Sequence, residues 1–328
     1  MADDQAIMDI LRGLEAPGGG GLLASGRLST PRVNSGIATA VLNVDGLTAD
    51  QQASLRQSIE TALSALPDIA EVRLVLTAER RQRRLIAVAS GKGGVGKSTI
   101  AANLAVALAT AGRQVGLIDA DIHGPSVPIL FGTAGERAQM ADKKVQPIVA
   151  HGVRTISVGN MLDPAQAIAW RGPMAGRALR QLIDDTDWGD TDLIILDLPP
   201  GTGDIQLSLV EKHKPDGAVI VSTPQDLALV DARRAIDLFN QTGVPIVGLV
   251  ENMSGYACPS CGAVSDPFGR GGVEETCAAL GVPFLGRVPL DIAVRTASDE
   301  GRPVAAGDGP QADAFRLIAG AVTGFIGE

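Results

Sequence analysis

The stretch Gly91-Lys92-Gly93-Gly94-Val95-Gly96-Lys97-Ser98-Thr99 decides how this chain is read. The apolar run Leu85-Ile86-Ala87-Val88-Ala89 precedes it and a helix-prone run over 100–111 follows, so the loop is expected where a strand ends and a helix begins. Gly91 through Gly96-Lys97-Ser98 fits the phosphate-binding spacing of Gly, four residues, Gly-Lys-Ser/Thr. Glycines let the backbone close on a phosphate. The helix behind them presents unpaired N–H groups and a positive dipole end, and Lys97 adds a mobile cation. Ser98 is then expected on magnesium, and nucleotide binding is the first functional expectation.

Working outward, the C-terminal side of this loop alternates apolar strands with helices. The strands are expected at 115–119, 193–197, 218–222 and 246–250. Continuous apolar strands of this kind predict a doubly wound, mostly parallel sheet covered on both faces, an α/β fold, with its ligand at the carboxyl ends of the strands. Residues 145–149 and 153–157 around His151-Gly152 read as a hairpin or a pair of extended segments, 272–280 as a short helix and 311–326 as a helix packing on the sheet.

Two groups of carboxylates fall at strand ends. Asp119-Ala120-Asp121 follows one buried strand, and Asp197-Leu198-Pro199-Pro200-Gly201-Thr202-Gly203-Asp204 closes another. In-line attack on a γ-phosphate needs a magnesium shell and a positioned water, which carboxylates placed here supply. Asp197 has the Walker B position, on magnesium directly or through water. Helix capping is the alternative use of such aspartates, and two of them beside a phosphate loop favour chemistry.

After the strand at 246–250 comes Glu251-Asn252-Met253-Ser254-Gly255-Tyr256-Ala257-Cys258-Pro259-Ser260-Cys261-Gly262. Cys258 and Cys261 are spaced to grip one metal or cluster from one side. A single pair leaves a tetrahedral zinc site or a four-cysteine cluster two ligands short, and dimerisation would complete either. Cys277, without a neighbouring cysteine, reads as a small buried side chain. His151 and His213 read as a turn residue and a helix-end residue, without catalytic roles.

The loop's second lysine, Lys92, makes the sequence resemble the deviant Walker A, or signature-lysine, ATPases. That resemblance implies a homodimer with two nucleotides at its interface and Lys92 reaching the partner's nucleotide. Together with Asp-Leu-Pro-Pro-Gly-Thr-Gly-Asp, Trp170-Arg171-Gly172-Pro173-Met174 and the Asn252 to Cys261 segment, residues 85 to about 305 closely resemble the Mrp/ApbC family of ATP-dependent iron–sulfur cluster carriers. The resemblance implies that Asp121 lies near the attacking water, with Asp119 closer to the outer shell of magnesium, that Asn252 contacts adenine, and that the loop Gly286-Arg287-Val288-Pro289-Leu290-Asp291 flanks the base. It also implies that the Cys258/Cys261 pairs of two subunits hold a labile [4Fe-4S] cluster passed to apo-proteins. The expected site is therefore Lys92, Lys97 and Asp121 for catalysis, residues 91–99 and Asn252 for ATP, Ser98, Asp119 and Asp197 for magnesium, and the two cysteines for the cluster. His123 and Arg171 are left without a role.

Residues 1–80 are expected to form a separate small α+β unit, with a helix over 4–14, a strand over 36–44, a helix over 48–66 and a strand over 70–76. Their order resembles the MIP18 or DUF59 group in degenerate form, lacking its Asp-Pro-Glu stretch and cysteine. Residues 81–84 close a basic linker, and 85–328 form the ATPase domain.

Composition narrows the alternatives. The chain has 328 residues, 28 basic against 37 acidic, a formal net charge of −9 and 3% aromatic residues. Such a balance disfavours sequence-independent nucleic-acid binding and anionic membranes as partners, and with them a positioning or partitioning ATPase. Three cysteines make no disulfide framework, no apolar run approaches the roughly 18 residues of a membrane span, and the opening Met1-Ala2-Asp3-Asp4 is acidic. A reducing cytoplasm is the expected compartment, and cluster clients with a scaffold or donor are the expected partners. A dimer-bridging structural zinc at the cysteine pair stays open.

Overall fold

The computed structural model describes residues 4–17, 19–44, 47, 49–77, 83–122, 124–141, 144–161, 179 and 182–327. Trp170 to Met174, His123 and residues 78–82 of the linker region lie outside these. The chain divides into two compact units, Met1–Arg81 and Gln82–Glu328.

In the first unit, helix α1 (Asp4–Arg12) is followed by β1 (Arg32–Asn34), β2 (Ile37–Asn43), α2 (Ala49–Ser64) and β3 (Glu71–Thr77). The sheet order is β1-β2-β3, with β1 antiparallel and β3 parallel to β2. Alternation along β2 explains its packing. Ala38, Ala40 and Leu42 are buried with Ile7, Leu11, Ile59 and Leu63 of the helices, whereas Thr39 and Val41 are exposed. β1 has no sequence signal of its own, because three residues are too few to show a period.

The second unit is built on a nine-stranded sheet ordered β13-β12-β11-β4-β10-β5-β9-β8, with β14 also pairing with β12. Its parallel body comprises β4 (Arg84–Ala89), β5 (Val115–Asp119), β9 (Val153–Ser157), β10 (Leu193–Asp197), β11 (Gly217–Ser222), β12 (Ile246–Ala257) and β14 (Phe284–Leu290). The antiparallel strands β8 (Ile148–Ala150) and β13 (Val264–Ser265) end the order. This is the α/β architecture expected of the sequence.

The pleat divides the core. Ile86 and Val88 of β4 face one cluster, with α3 (Lys97–Thr110) and the last helix, Pro310–Ile326; Ala87 and Ala89 face another, with the helix Asp226–Thr242. Helix α3 buries Ile100 to Leu108 without interruption, because the sheet lies on one side and the last helix on the other. Each such fully buried Leu or Ile contributes about 1.5–3 kcal/mol. The start of α3 is thereby held rigidly at the strand ends.

Two expectations are corrected. The hairpin expected around His151-Gly152 forms, but its first arm is β8 alone: Val145 belongs to β7 (Lys144–Gln146), which pairs with β6 (Gln139–Ala141). Pro147 interrupts the run, and proline removes a ladder donor. The strand expected to stop at Val250 continues to Ala257. Polar residues and a glycine hide this extension from a periodicity argument, but pairing with β14 and β13 supplies its hydrogen bonds.

Candidate nucleotide site and cysteine hairpin

Because the body of the sheet is parallel, Ala89, Asp119, Asp197, Ser222 and Leu290 all end strands along one edge. At that edge a cavity of about 570 Å³ is lined by the loop residues Lys92, Gly93, Gly94, Gly96, Lys97 and Ser98. Thr99, Asp121 and Asn252 line it too. Its size falls within the range of small-molecule sites. Of the loop residues, Gly91 and Val95 are outside the lining. Gly91 instead packs against the backbone of Asp231, where a Cβ on Gly91 would stand 2.0 Å from the Asp231 carbonyl oxygen.

Gly96 caps α3 in the left-handed region, φ 82°. A Cβ there would stand 2.1 Å from Asn252 Nδ2. That approach lets Asn252 Nδ2 donate to the Val95 carbonyl at 2.8 Å, so this asparagine is keyed onto the phosphate loop as well as lining the cavity.

Lys97 and Asp197 form a buried pair, Nζ to Oδ1 2.5 Å, and Lys97 Nζ lies 3.2 Å from Ser98 Oγ. Burial raises the Asp197 carboxyl, against the pull of Lys97. Among the described residues its other oxygen, Oδ2, is buried without a hydrogen-bond partner. An unpartnered carboxylate oxygen beside a serine hydroxyl suits a hard divalent cation, so Asp197 and Ser98 fit magnesium.

Asp119 is used differently. Oδ1 accepts from the Asp121 amide at 3.1 Å, and Oδ2 accepts from the Val127 amide and Ser157 Oγ, each at 3.1 Å. Complete burial, followed by the negative charge of Asp197, pushes its carboxyl up to about 7. Both oxygens are engaged in holding the 119–127 loop. Asp121 is half-buried on the cavity wall.

Part of the far wall falls in the segment Gly286 to Asp291, for which the resemblance implies a loop flanking the base. Pro289, Leu290 and Asp291 come from that segment, and Val294, Arg295 and Ser298 come from the helix Ile292–Asp299, which no expectation covered. Asp291 caps that helix by accepting from the Ala293 amide, a signal legible in sequence only once the helix is known.

Cys258 and Cys261 lie outside the cavity, at the tip of the β12–β13 hairpin at the edge of the sheet. Cys258 is half-buried and Cys261 exposed. The tip is closed by Cys258 N to Ala263 O at 2.9 Å and Gly262 N to Cys258 O at 2.8 Å. Backbone N–H groups of Ser260 and then Cys261 donate to the Cys258 sulfur and hold its thiol below the ordinary range. A stabilised thiolate beside a second exposed cysteine is a soft-ligand pair. Cys277 is buried, and desolvation, then Glu274 and Glu251, push it up to about 11. Among the described residues, no helix is long and apolar enough to cross a membrane.

A phosphate loop between β4 and α3, with a carboxylate at the end of the adjacent strand, defines a P-loop NTPase. The family model described as "ParA: NUBPL iron-transfer P-loop NTPase" matches residues 81–323, and the chain belongs to that family. An iron-sulfur cluster carrier protein of Deinococcus radiodurans is 41% identical over 317 residues, covering 93% of this chain and 90% of its own length. That coverage exceeds the second unit and extends into the first. The carrier protein of the same name from Escherichia coli K12 is 47% identical over 222 residues, 67% of this chain and 60% of its own. Among solved structures, a nucleotide-binding protein of Archaeoglobus fulgidus in complex with ADP superposes with a TM-score of 0.62 at 37% identity, covering 70% of this chain and 89% of that one. The MinD protein of Pyrococcus horikoshii, at 23% identity and a TM-score of 0.58, shares the fold.

Proposed function

We propose that this protein binds and slowly hydrolyses ATP and, as a cytoplasmic homodimer, carries a labile [4Fe-4S] cluster as cargo from a scaffold or donor to apo-proteins. The observation that carries the reading is the placement of two ligand sets on one strand: β12 brings Asn252 to the phosphate loop and leads directly into Cys258. The names of the relatives point the same way.

In this reading residues 91–99 wrap the phosphates, with Lys97 moving from Asp197 onto the β- and γ-phosphates. Ser98 and Asp197 would hold magnesium, which when bound would neutralise charge developing on the γ-phosphate. Asp121, on the cavity wall, orients the attacking water, and Asp119 fixes the loop that carries it through Val127 and Ser157. Lys92 reaches the partner's nucleotide, and Asn252 presents its remaining amide capacity to adenine. Cys258 and Cys261 supply half of the cluster's ligands and the second subunit supplies the rest. The first unit serves docking or dimer support.

Anaerobic reconstitution with iron and sulfide, followed by visible absorption and metal analysis, tests the cargo. The C258A/C261A variant is expected to lose iron and sulfide uptake. Equal uptake by variant and wild type, or zinc alone in anaerobically purified protein, would overturn the cluster assignment.

A further inference from the structure

β12 runs unbroken from the nucleotide cavity to the cysteine pair, and its middle is irregular. Asn252 and Met253 line the cavity, and Cys258 follows the strand's last residue. Between them Met253 and Gly255 have φ of 58° and 72°. A methionine in the left-handed region is disfavoured by contact of its Cβ with the backbone. Pairing with β14 also slips here: Asn252 faces Val288 and Tyr256 faces Leu290, so four steps on β12 match two on its partner.

The strand is fixed on one side of this kink. Glu251 is fully buried, accepts from the amides of Gly271 and Val273 at 3.1 and 3.0 Å, pairs with the Arg287 guanidinium, Nε at 3.3 Å, and reaches past Met253 to accept from Ser254 Oγ at 2.6 Å. Burial opposes its ionisation, but these donors together hold its carboxyl below the ordinary range. Beyond Ser254 the hairpin of β12 and β13, closed by two residue pairs of its own, is exposed at Ala257, Cys261 and Val264 and meets β14 at Tyr256 opposite Leu290. The strained residue thus stands between the buried partners of Glu251 and the exposed tip of the hairpin. Its side chain faces the phosphate loop, with Cε 3.9 Å from where a Cβ on Gly96 would stand.

We propose that Met253 is a positioning residue, a hinge through which nucleotide in the cavity sets the placement of the Cys258/Cys261 hairpin within one chain. Strained backbone persists where surrounding contacts over-determine it. A nucleotide touching the Met253 side chain biases the equilibrium between backbone states by its differential contact with them, and the hairpin follows. The proposal rests on the nucleotide reading of the cavity and adds a route to the cysteines that needs no rearrangement of subunits.

The test uses the reduced, metal-free full chain and iodoacetamide, with alkylation of Cys258 and Cys261 followed by mass spectrometry with and without magnesium ADP. ADP binding is measured separately by calorimetry, and each protein is used at saturation. For wild type, ADP is expected to change the alkylation rate about fivefold, the lower end of ordinary coupling between sites, and the change should survive dilution. M253G and M253N, whose new residues accept the left-handed region, should melt like wild type and lose most of that ratio. Wild type that binds ADP with unchanged alkylation, an effect that vanishes on dilution, or variants that retain the full ratio would each overturn the hinge. Failure of wild type to bind ADP would instead sink the nucleotide reading, and the hinge with it.

Discussion

Lys97 Nζ sits 2.5 Å from Asp197 Oδ1 with both side chains buried, so the cation of the phosphate loop is held by the carboxylate of the neighbouring strand. Breaking a buried pair from one side leaves an uncompensated charge. K97A is therefore expected to lose about 3–5 kcal/mol of stability in denaturant titrations, and to lose ADP binding as well. K97A/D197A should recover much of the stability and none of the binding, because it removes the stranded carboxylate without restoring the cation.

G96A tests how closely the strand of Asn252 is keyed to the loop. Its methyl group would stand 2.1 Å from Asn252 Nδ2 on a backbone at φ 82°. Backbone strain and displacement of the Asn252 to Val95 hydrogen bond should together cost about 2 kcal/mol or more by thermal or chemical unfolding. N252A loses that bond without adding strain and is expected to cost about 1 kcal/mol.

Asp119 makes stability depend on pH. Its folded carboxyl is raised from 3.8 to about 7, so between these values the folded chain keeps a proton that the unfolded chain has released. The folded state then binds more protons, and stability falls as pH rises through this window, levelling off above about 7. Urea unfolding across the window should show this slope in wild type and a shallower one in D119N, where Asp197, also raised by burial, remains. An identical slope in both would show that Asp119 does not titrate in this way.

The three cysteines should separate by reactivity. Iodoacetamide near neutral pH is expected to label Cys258 and Cys261 and to spare Cys277, which is buried and whose thiolate forms only near pH 11. Timed mass spectrometry reads the order. Labelling of Cys277 as fast as Cys261 would mean that the helix Gly272–Leu280 opens readily.

The phosphate loop and the strands at 115–119 and 193–197 were legible because their determinants are contiguous. A run of glycines with two lysines, or four apolar or glycine residues closed by an aspartate, specifies its local backbone without knowledge of the rest. The three-residue β1, the far half of β12 and the division of 145–149 were not legible, since their hydrogen-bond partners come from distant strands.

By itself the sequence determined the class of fold, the loop that receives a phosphate and the family to which the chain belongs. Tertiary structure decided which side chains meet across it. Lys97 and Asp197 are 100 positions apart and Asn252 and Val95 are 157 apart, and only the parallel order of strands brings them to one edge. It also decided that Met253 stands kinked between the cavity and the cysteines. The left-handed backbone there is set by the contacts that flank it, Glu251 with its buried partners before it and Ser254 bonded back to Glu251 after it, and no local pattern encodes such a balance.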